Sequence, residues 1–191
     1  MKEFRGAKNP WRTLNQRWVY TNPWIHVRED SVIRPGGSSG VYSVVVMPPS
    51  VGVVAVDDNG LVALVKQWRY TLDRLSLEVP TGGLNDDELD PDGALRGAQR
   101  ELQEETGLQS DLWQFLGTID NSNGVTNEVA HLFLATGVTR VVEWTADPDE
   151  PLTVVWVEWE EAVRRAVSSE ITESVSVCAL LRADLRRKDR A

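Results

Sequence analysis

Short runs of apolar and β-branched residues, separated by turn-forming residues, dominate the chain outside three segments. Such runs predict strands, and they occur at 17–34 (broken at Asn22-Pro23), 41–47, 51–56, 61–67, 75–79, 113–119, 129–134 and 154–157. The turn Asp57-Asp58-Asn59-Gly60 between two of these runs is typical of a β-hairpin. Residues 1–16 are mostly polar and predict an arm without regular structure.

Three segments repeat apolar residues at helical spacing. The first is expected to begin at Asp90-Pro91, because Asp90 is a suitable N-cap and Pro91 a suitable first helical residue. Gly107 predicts its end. The other two cover 160–167 and 172–185. Strands and helices alternate irregularly, so a mixed α/β domain is expected.

Composition says more about the partners of this chain than about its fold. The chain has 191 residues and a net charge of −9, which fits one domain with or without a small N-terminal extension. Its one cysteine, Cys178, excludes an intrachain disulfide and suits a reducing cytoplasm. No apolar run is long enough to span a bilayer, and no basic stripe interleaves with aromatic residues. Neither a membrane nor a nucleic-acid partner is therefore expected.

An acidic cluster surrounds the first predicted helix. From Glu78 to Glu105, nine acidic residues and two arginines give a net charge of −7. Glu101, Glu104 and Glu105 share one helix surface at positions i, i+3 and i+4, where unpaired like charges destabilise a helix by roughly 0.2–0.5 kcal/mol per pair. At this spacing Arg100 is expected to reach only Glu104. The pattern favours a hard divalent cation such as Mg²⁺, and a solvated acidic face is the alternative.

The segment Arg100-Glu101-Leu102-Gln103-Glu104-Glu105-Thr106-Gly107-Leu108 resembles the second half of the signature of the Nudix hydrolases. The first half departs from that pattern. The family places a glycine fourteen residues before the arginine and a glutamate eight before it, where this chain has Asp86 and Asp92. The nearest glycine is Gly83, so the loop is three residues longer. The resemblance implies a carboxylate partner for Arg100, and Asp92 and Glu88 are the two candidates.

The likeness extends over roughly residues 20–185. Lys66–Tyr70, Leu77–Gly83 and Ser122–Glu128 are similar to segments of the ADP-ribose pyrophosphatase and nucleoside diphosphate sugar hydrolase branch. Asn22–Trp24, followed by Val27–Asp30, is similar to the N-terminal strands of that branch. The implied fold is an α/β/α sandwich with a mixed β-sheet and a short N-terminal β-rich extension. Residues 1–48 would form that extension and a homodimer interface, and residues 49–191 the Nudix hydrolase domain.

The implied activity is Mg²⁺-dependent hydrolysis of a diphosphate linkage, with Mn²⁺ as a substitute metal. ADP-ribose, split into AMP and ribose 5-phosphate, is the expected substrate. GDP-mannose, another nucleoside diphosphate sugar or NADH is the alternative within enzymes, and RNA decapping is disfavoured by the acidic charge. The alternative from another class is a Nudix domain that binds a nucleotide without catalysis.

Family positions imply a role for each candidate site residue. The metal ligands would be Glu101, Glu105, Glu104 and the backbone of Gly82. The catalytic set would be Glu128 as general base or late metal ligand, with Glu104 and Arg100. The substrate would meet Arg69, Glu78, Trp24 and Trp68. Arg69 would hold a phosphate. Glu78 would contact the ribose or base, or instead pair with Arg69 or Arg74, and either tryptophan would stack on the base or pack structurally.

Overall fold

The structure is a computed structural model that describes residues 8–90, 92–141, 144 and 151–189. Its contacts divide the chain into two compact units. One unit comprises Met1–Pro48 and Ser122–Glu128, and the other comprises Pro49–Asn121 and Val129–Ala191.

The first unit is built on an antiparallel sheet of three strands among the described residues. The strands are β1 (Arg12–Thr21), β2 (His26–Ile33) and β3 (Ser39–Val46), in the order β1-β2-β3. Every residue of β1 is exposed. The expected structureless arm is wrong for residues 12–16, which pair with β2 from Arg12–Ile33 to Gln16–Asp30. Backbone pairing and a hydrogen bond from Gln16 to Asp30 hold this segment, so it needs no apolar pattern.

A mixed sheet forms the centre of the second unit. Its strands are β4 (Ser50–Val56), β5 (Leu61–Arg69), β6 (Arg74–Glu78), β7 (Thr81–Gly83), β9 (Leu112–Asp120), β10 (Val129–Thr136) and β12 (Leu152–Glu158), while β8 (Leu108–Gln109) and β11 (Thr139–Arg140) form a separate pair. The central order is β12-β5-β4-β10-β9, with β6 beside β5 and β7 beside β4. Strand β10 runs parallel to β4, and the other pairings are antiparallel.

Three helices lie in the described part of this unit: α1 (Gly93–Thr106), α2 (Trp159–Val167) and α3 (Ser174–Lys188). The expected start of the first helix was wrong, because Asp92 and not Asp90 is the residue before α1. Asp90 instead shapes the preceding turn, where its carboxylate accepts from Asp92 N and its backbone oxygen accepts from Gly93 N. Pro91 lies outside the described residues. The predicted helix end at Gly107 is confirmed.

Strand β4 is buried along its whole length, and its side chains serve two cores. Val51 and Val53 pack with Ala98 and Leu102 of α1, whereas Val54 packs with residues of α2 and α3. One helix therefore covers one face of the sheet and two helices cover the other, which confirms the expected α/β/α arrangement. None of the helices in the described ranges is both long and apolar enough to cross a bilayer.

Candidate active site

Arg100 joins α1, the glutamate helix that carries Glu101, Glu104 and Glu105, to the loop before it. Its guanidinium donates to Glu88 at 2.9 and 3.0 Å, to Glu101 at 2.7 Å and to Glu104 at 2.8 Å. A further bond of 2.8 Å reaches the backbone oxygen of Gly83. The expectation that Arg100 reaches only Glu104 is therefore wrong. The long side chain also contacts its sequence neighbour, and one cation is shared by three carboxylates and a backbone carbonyl.

Of the two candidate partners from the loop, Glu88 and not Asp92 forms the ion pair with Arg100. Its side chain is buried, and the hydrogen bond from Arg100 holds the pKa of Glu88 below its usual value. Glu88 also accepts from Asn85 N at 2.8 Å, which closes the 3-10 turn Asp86–Glu88. The longer loop thus supplies the partner from twelve residues before the arginine, not from eight.

Two glycines on α1 make room for this turn. A Cβ added at Gly93 would lie 1.8 Å from the backbone oxygen of Glu88, and one added at Gly97 would lie 2.2 Å from a methyl carbon of Leu84. The two positions are four residues apart and hence on one helix face. This glycine pair was the sequence signal that could have favoured Glu88.

We expect Glu88→Gln to lower the free energy of unfolding by about 1.5–3 kcal/mol, because the charge-assisted bonds between Arg100 and a buried carboxylate are lost. Urea unfolding measures this change. Asp92→Asn is the matched control, since Asp92 is exposed, and its effect should stay within about 0.5 kcal/mol. Equal effects in the two variants would contradict the pairing.

Glu101 and Glu105 form a pair of poorly solvated carboxylates. Burial raises the pKa of Glu101, an effect that the bond from Arg100 opposes. Burial, helped by the charges of Glu101 and Glu78, raises the pKa of Glu105 to about 8. A hydrogen bond of 2.9 Å from Thr81 N to Glu105 Oε2 works against that rise. The protein therefore holds two carboxylates where an additional positive charge would be strongly stabilising.

Gly82 lies directly against the carboxyl group of Glu101. A Cβ at Gly82 would be 2.2 Å from the carboxyl group of Glu101, so only glycine leaves space for that carboxylate. In the bonds above, Arg100 uses Oε1 of Glu101 and Thr81 uses Oε2 of Glu105. The other oxygen of each carboxylate is the atom that would bind a cation.

These residues fit a divalent cation by their chemistry. Within the described ranges, no group of three or more His, Cys, Asp or Glu side chains is already arranged to hold a metal ion. Carboxylate oxygens are nevertheless the protein ligands that Mg²⁺ prefers, since it takes one or two carboxylates and keeps several waters. Glu104, whose side chain is 59% exposed, is more solvated than Glu101 and Glu105.

Arg69 and Glu78 form an ion pair beside the carboxylates. Arg69 Nε lies 2.9 Å from Glu78 Oε1, and Nη2 contacts Oε2 as well. Glu78 is fully buried, whereas the Arg69 side chain remains 36% exposed. The hydrogen bond from Glu78 raises the pKa of Arg69, and Glu105 adds to the rise. Of the alternatives for Glu78, the structure shows pairing with Arg69; Arg74 instead donates to Thr172.

The two candidate stacking residues are surface aromatics. Trp68 on β5 is 55% exposed, and Trp24 in the turn between β1 and β2 is 74% exposed. The turn is fixed by Asn22, whose side-chain oxygen accepts from Trp24 N and Ile25 N. Neither ring is a core residue, so structural packing inside a unit does not account for either.

The loop that carries Glu128 belongs to the first unit. Val45 N of β3 donates to Val125 O at 2.8 Å, and Met47 N donates to the side chain of Asn127 at 3.2 Å. Glu128 N is held by the hydroxyl of Thr126. This attachment has no signal in the local sequence, because the two segments lie 80 positions apart.

Comparison with protein families adds to this geometry. Residues 46–175 match the family model described as the NUDIX domain, and residues 11–45 match the one described as the nucleoside diphosphate sugar hydrolase N-terminal domain. The chain belongs to the Nudix family. The resemblance drawn from Arg100–Leu108 is thereby confirmed, and the glutamate helix of this Nudix chain is α1.

Individual relatives of this Nudix chain agree. It is 35% identical to the ADP-ribose pyrophosphatase of Mycobacterium tuberculosis, over 92% of this chain and 84% of that protein. It is 30% identical to the ADP-ribose pyrophosphatase of Bacillus subtilis, over 88% of this chain and 90% of that protein. A crystal structure of an ADP compounds hydrolase has a TM-score of 0.79 at 19% identity, covering 97% of this chain and 98% of the other, which shows the shared fold.

Proposed function

We propose that this Nudix hydrolase splits ADP-ribose into AMP and ribose 5-phosphate with Mg²⁺ as its metal. The observation that carries the proposal is the pair of carboxylates of buried Glu101 and half-buried Glu105 beside the Arg69–Glu78 ion pair. It joins a site for a cation to a guanidinium that can bind a phosphate. The relatives at 35% and 30% identity, both named ADP-ribose pyrophosphatases, support the substrate.

A diphosphate resists attack because its own negative charge repels a nucleophile. A bound metal supplies charge neutralisation and a more acidic water. Glu101 and Glu105, with Glu104 and the Gly82 backbone, would hold that metal. Mn²⁺ would substitute for Mg²⁺, because both accept carboxylate and water oxygens. Arg69, oriented by Glu78, would hold a substrate phosphate, and Arg100 would fix the direction of Glu101. Trp24 and Trp68 would offer ring faces to the adenine.

Glu128 is the proposed general base. We expect Glu128→Gln to lower kcat by roughly a hundredfold or more with little change in KM, since an amide cannot take a proton from water. Steady-state kinetics with ADP-ribose and Mg²⁺ measure both constants. Asp120→Asn, an exposed carboxylate at the end of β9, is the control. An unchanged kcat in Glu128→Gln would assign the base to another glutamate.

We further propose that residues 1–48 form a homodimer interface and that the protein acts in the cytoplasm. Exposed Trp18 and Tyr20 on β1 support the interface. Equilibrium sedimentation of the native chain should give the mass of two chains, and Trp18→Lys should shift it towards one. Trp156→Lys alters an exposed tryptophan of β12 and should leave the dimer intact. A monomeric native chain would contradict the interface.

The substrate is tested by a panel of ADP-ribose, GDP-mannose, other nucleoside diphosphate sugars and NADH, each with Mg²⁺. We expect ADP-ribose to have the highest kcat/KM and to yield AMP and ribose 5-phosphate by phosphorus NMR. A higher kcat/KM for another compound would make that compound the substrate, while the proposed hydrolysis of a diphosphate linkage would stand. Binding of ADP-ribose without turnover of any compound would favour a regulatory nucleotide-binding domain.

A further inference from the structure

The first turn of α3 contacts the segment that joins β6 to β7. Ser176 is fully buried there, and its Oγ lies 2.9 Å from Val79 N. Because Val79 N–H can only donate, Ser176 Oγ is the acceptor in this bond. The hydroxyl hydrogen is then donated to Glu173 Oε2, which lies 2.7 Å away. The two hydrogen bonds therefore run in one direction: Val79 N–H donates to Ser176, and the hydroxyl of Ser176 donates to Glu173.

Glu173 holds the first turn of α3 and the hydroxyl of Ser176 in place. Its two carboxylate oxygens accept from Val175 N at 2.8 Å and from Ser176 N at 2.7 Å, so it caps α3. The same turn sits directly on β4, because a Cβ at Gly52 would lie 2.2 Å from a methyl carbon of Val175. The hydroxyl of Ser176 is thus held by a capped helix end in close contact with the central sheet.

Val79 lies between the two parts of the candidate site. The residue before it, Glu78, binds Arg69, and Thr81, two residues after it, donates its N–H to Glu105. A displacement of Val79 would therefore move both contacts. The helices involved pack on opposite faces of the sheet, since α3 belongs to one core and α1 to the other.

We propose that Ser176, oriented by Glu173, is a positioning residue that sets the Arg69–Glu78 pair and the Thr81–Glu105 contact together. This inference rests on the proposed function, in which those groups bind the substrate phosphate and the metal. The negative charge of Glu173 also contributes to the raised pKa of Arg69, after the larger effect of Glu78. Residues that orient metal ligands without binding the metal typically matter by 10- to 100-fold: their substitution lowers metal affinity or activity by that factor.

The test is Ser176→Ala, which removes one oxygen and leaves Val79 N without its acceptor. We expect KM for ADP-ribose to rise about tenfold and Mn²⁺ binding, followed by electron paramagnetic resonance, to weaken by a similar factor. The amide signal of Thr81 in a nitrogen-15 NMR spectrum should also move. A variant that only melts at a lower temperature, with KM, Mn²⁺ binding and the Thr81 signal unchanged, would overturn the proposal.

Ala183→Gly is the matched control, because Ala183 is a fully buried residue of the same helix and glycine weakens a helix without touching Val79. We expect this variant to melt earlier while KM and Mn²⁺ affinity stay within about twofold of the native values. Equal losses of Mn²⁺ affinity in both variants would reduce Ser176 to a general contributor to stability and overturn the proposal.

Glu173→Gln provides a second route if Ser176→Ala does not fold. The glutamine amide keeps one oxygen for the helix cap, but its nitrogen cannot accept from Ser176. We expect the same direction of change in KM and Mn²⁺ affinity, by about threefold, and no change in either would overturn the proposal. The Mn²⁺ readout also separates two failures: a native chain without ADP-ribose hydrolysis would refute the proposed function, whereas metal binding still tests Ser176.

Discussion

Glu105→Gln is expected to abolish Mg²⁺-dependent turnover while the fold survives. The amide keeps the shape of the side chain and can still accept from Thr81 N, which lies 2.9 Å from Glu105 Oε2. It removes a negative charge that partial burial, and then the charges of Glu101 and Glu78, disfavour. Loss of this ligand would withdraw several kcal/mol of charge stabilisation from the transition state, which corresponds to a fall in kcat of roughly a thousandfold or more.

Steady-state kinetics with ADP-ribose and circular dichroism check the two halves of this prediction. Glu160→Gln is the control, because Glu160 lies on α2 with a side chain that is 80% exposed. It should leave both kcat and the spectrum unchanged. Undiminished turnover in Glu105→Gln would remove Glu105 from the metal site.

Glu105→Gln should also change how the stability of the protein depends on pH. Burial raises the pKa of Glu105 from 4.5 to about 8, so the folded protein binds this proton more tightly than the unfolded chain does. The resulting stability is complete below about pH 4.5 and is lost as the pH rises through about 8. In metal-free buffer, the native protein should therefore lose stability relative to Glu105→Gln over that window. Urea unfolding at several pH values measures the difference, and Mg²⁺ should reduce it by competing with the proton.

The helix that carries the glutamates could be predicted from the sequence, because its formation and its end depend on local spacing. Glu101, Glu104 and Glu105 share a helix surface wherever a helix forms, and Gly107 ends that helix at a defined point. The hairpin at Asn59-Gly60 is local in the same sense. The strand β1 was only half anticipated, because its first residues are held by pairing with β2 and carry no apolar alternation.

The partners of these residues could not be read in the same way, because they come from distant parts of the chain. The choice of Glu88 over Asp92 depends on how the longer loop folds against Gly93 and Gly97. Ser176 is 97 positions from Val79, and nothing in the local pattern of α3 distinguishes its hydroxyl from that of an ordinary helical serine. Spacing thus identifies the groups that carry charge, whereas tertiary contacts decide how each group is oriented and how far its pKa moves.

Gly82→Ala is expected to separate metal binding from stability. The added methyl would lie 2.2 Å from the Glu101 carboxyl, far inside van der Waals contact. That carboxyl is the end of a flexible side chain and can swing away. The φ angle of Gly82 is not among the positive ones, so alanine adopts this backbone without strain. The fold should therefore change little, while Glu101 leaves the position from which it would bind a cation.

We expect Gly82→Ala to weaken Mn²⁺ binding and to lower kcat/KM for ADP-ribose by roughly a hundredfold, with a change in unfolding free energy below about 1 kcal/mol. Gly36→Ala is the control, since a Cβ at Gly36 would meet nothing within 4 Å. Mn²⁺ titration followed by electron paramagnetic resonance and urea unfolding provide the two measurements. Native Mn²⁺ affinity in Gly82→Ala would mean that Glu101 binds no metal from this position, and Glu105 would have to hold the cation with other partners.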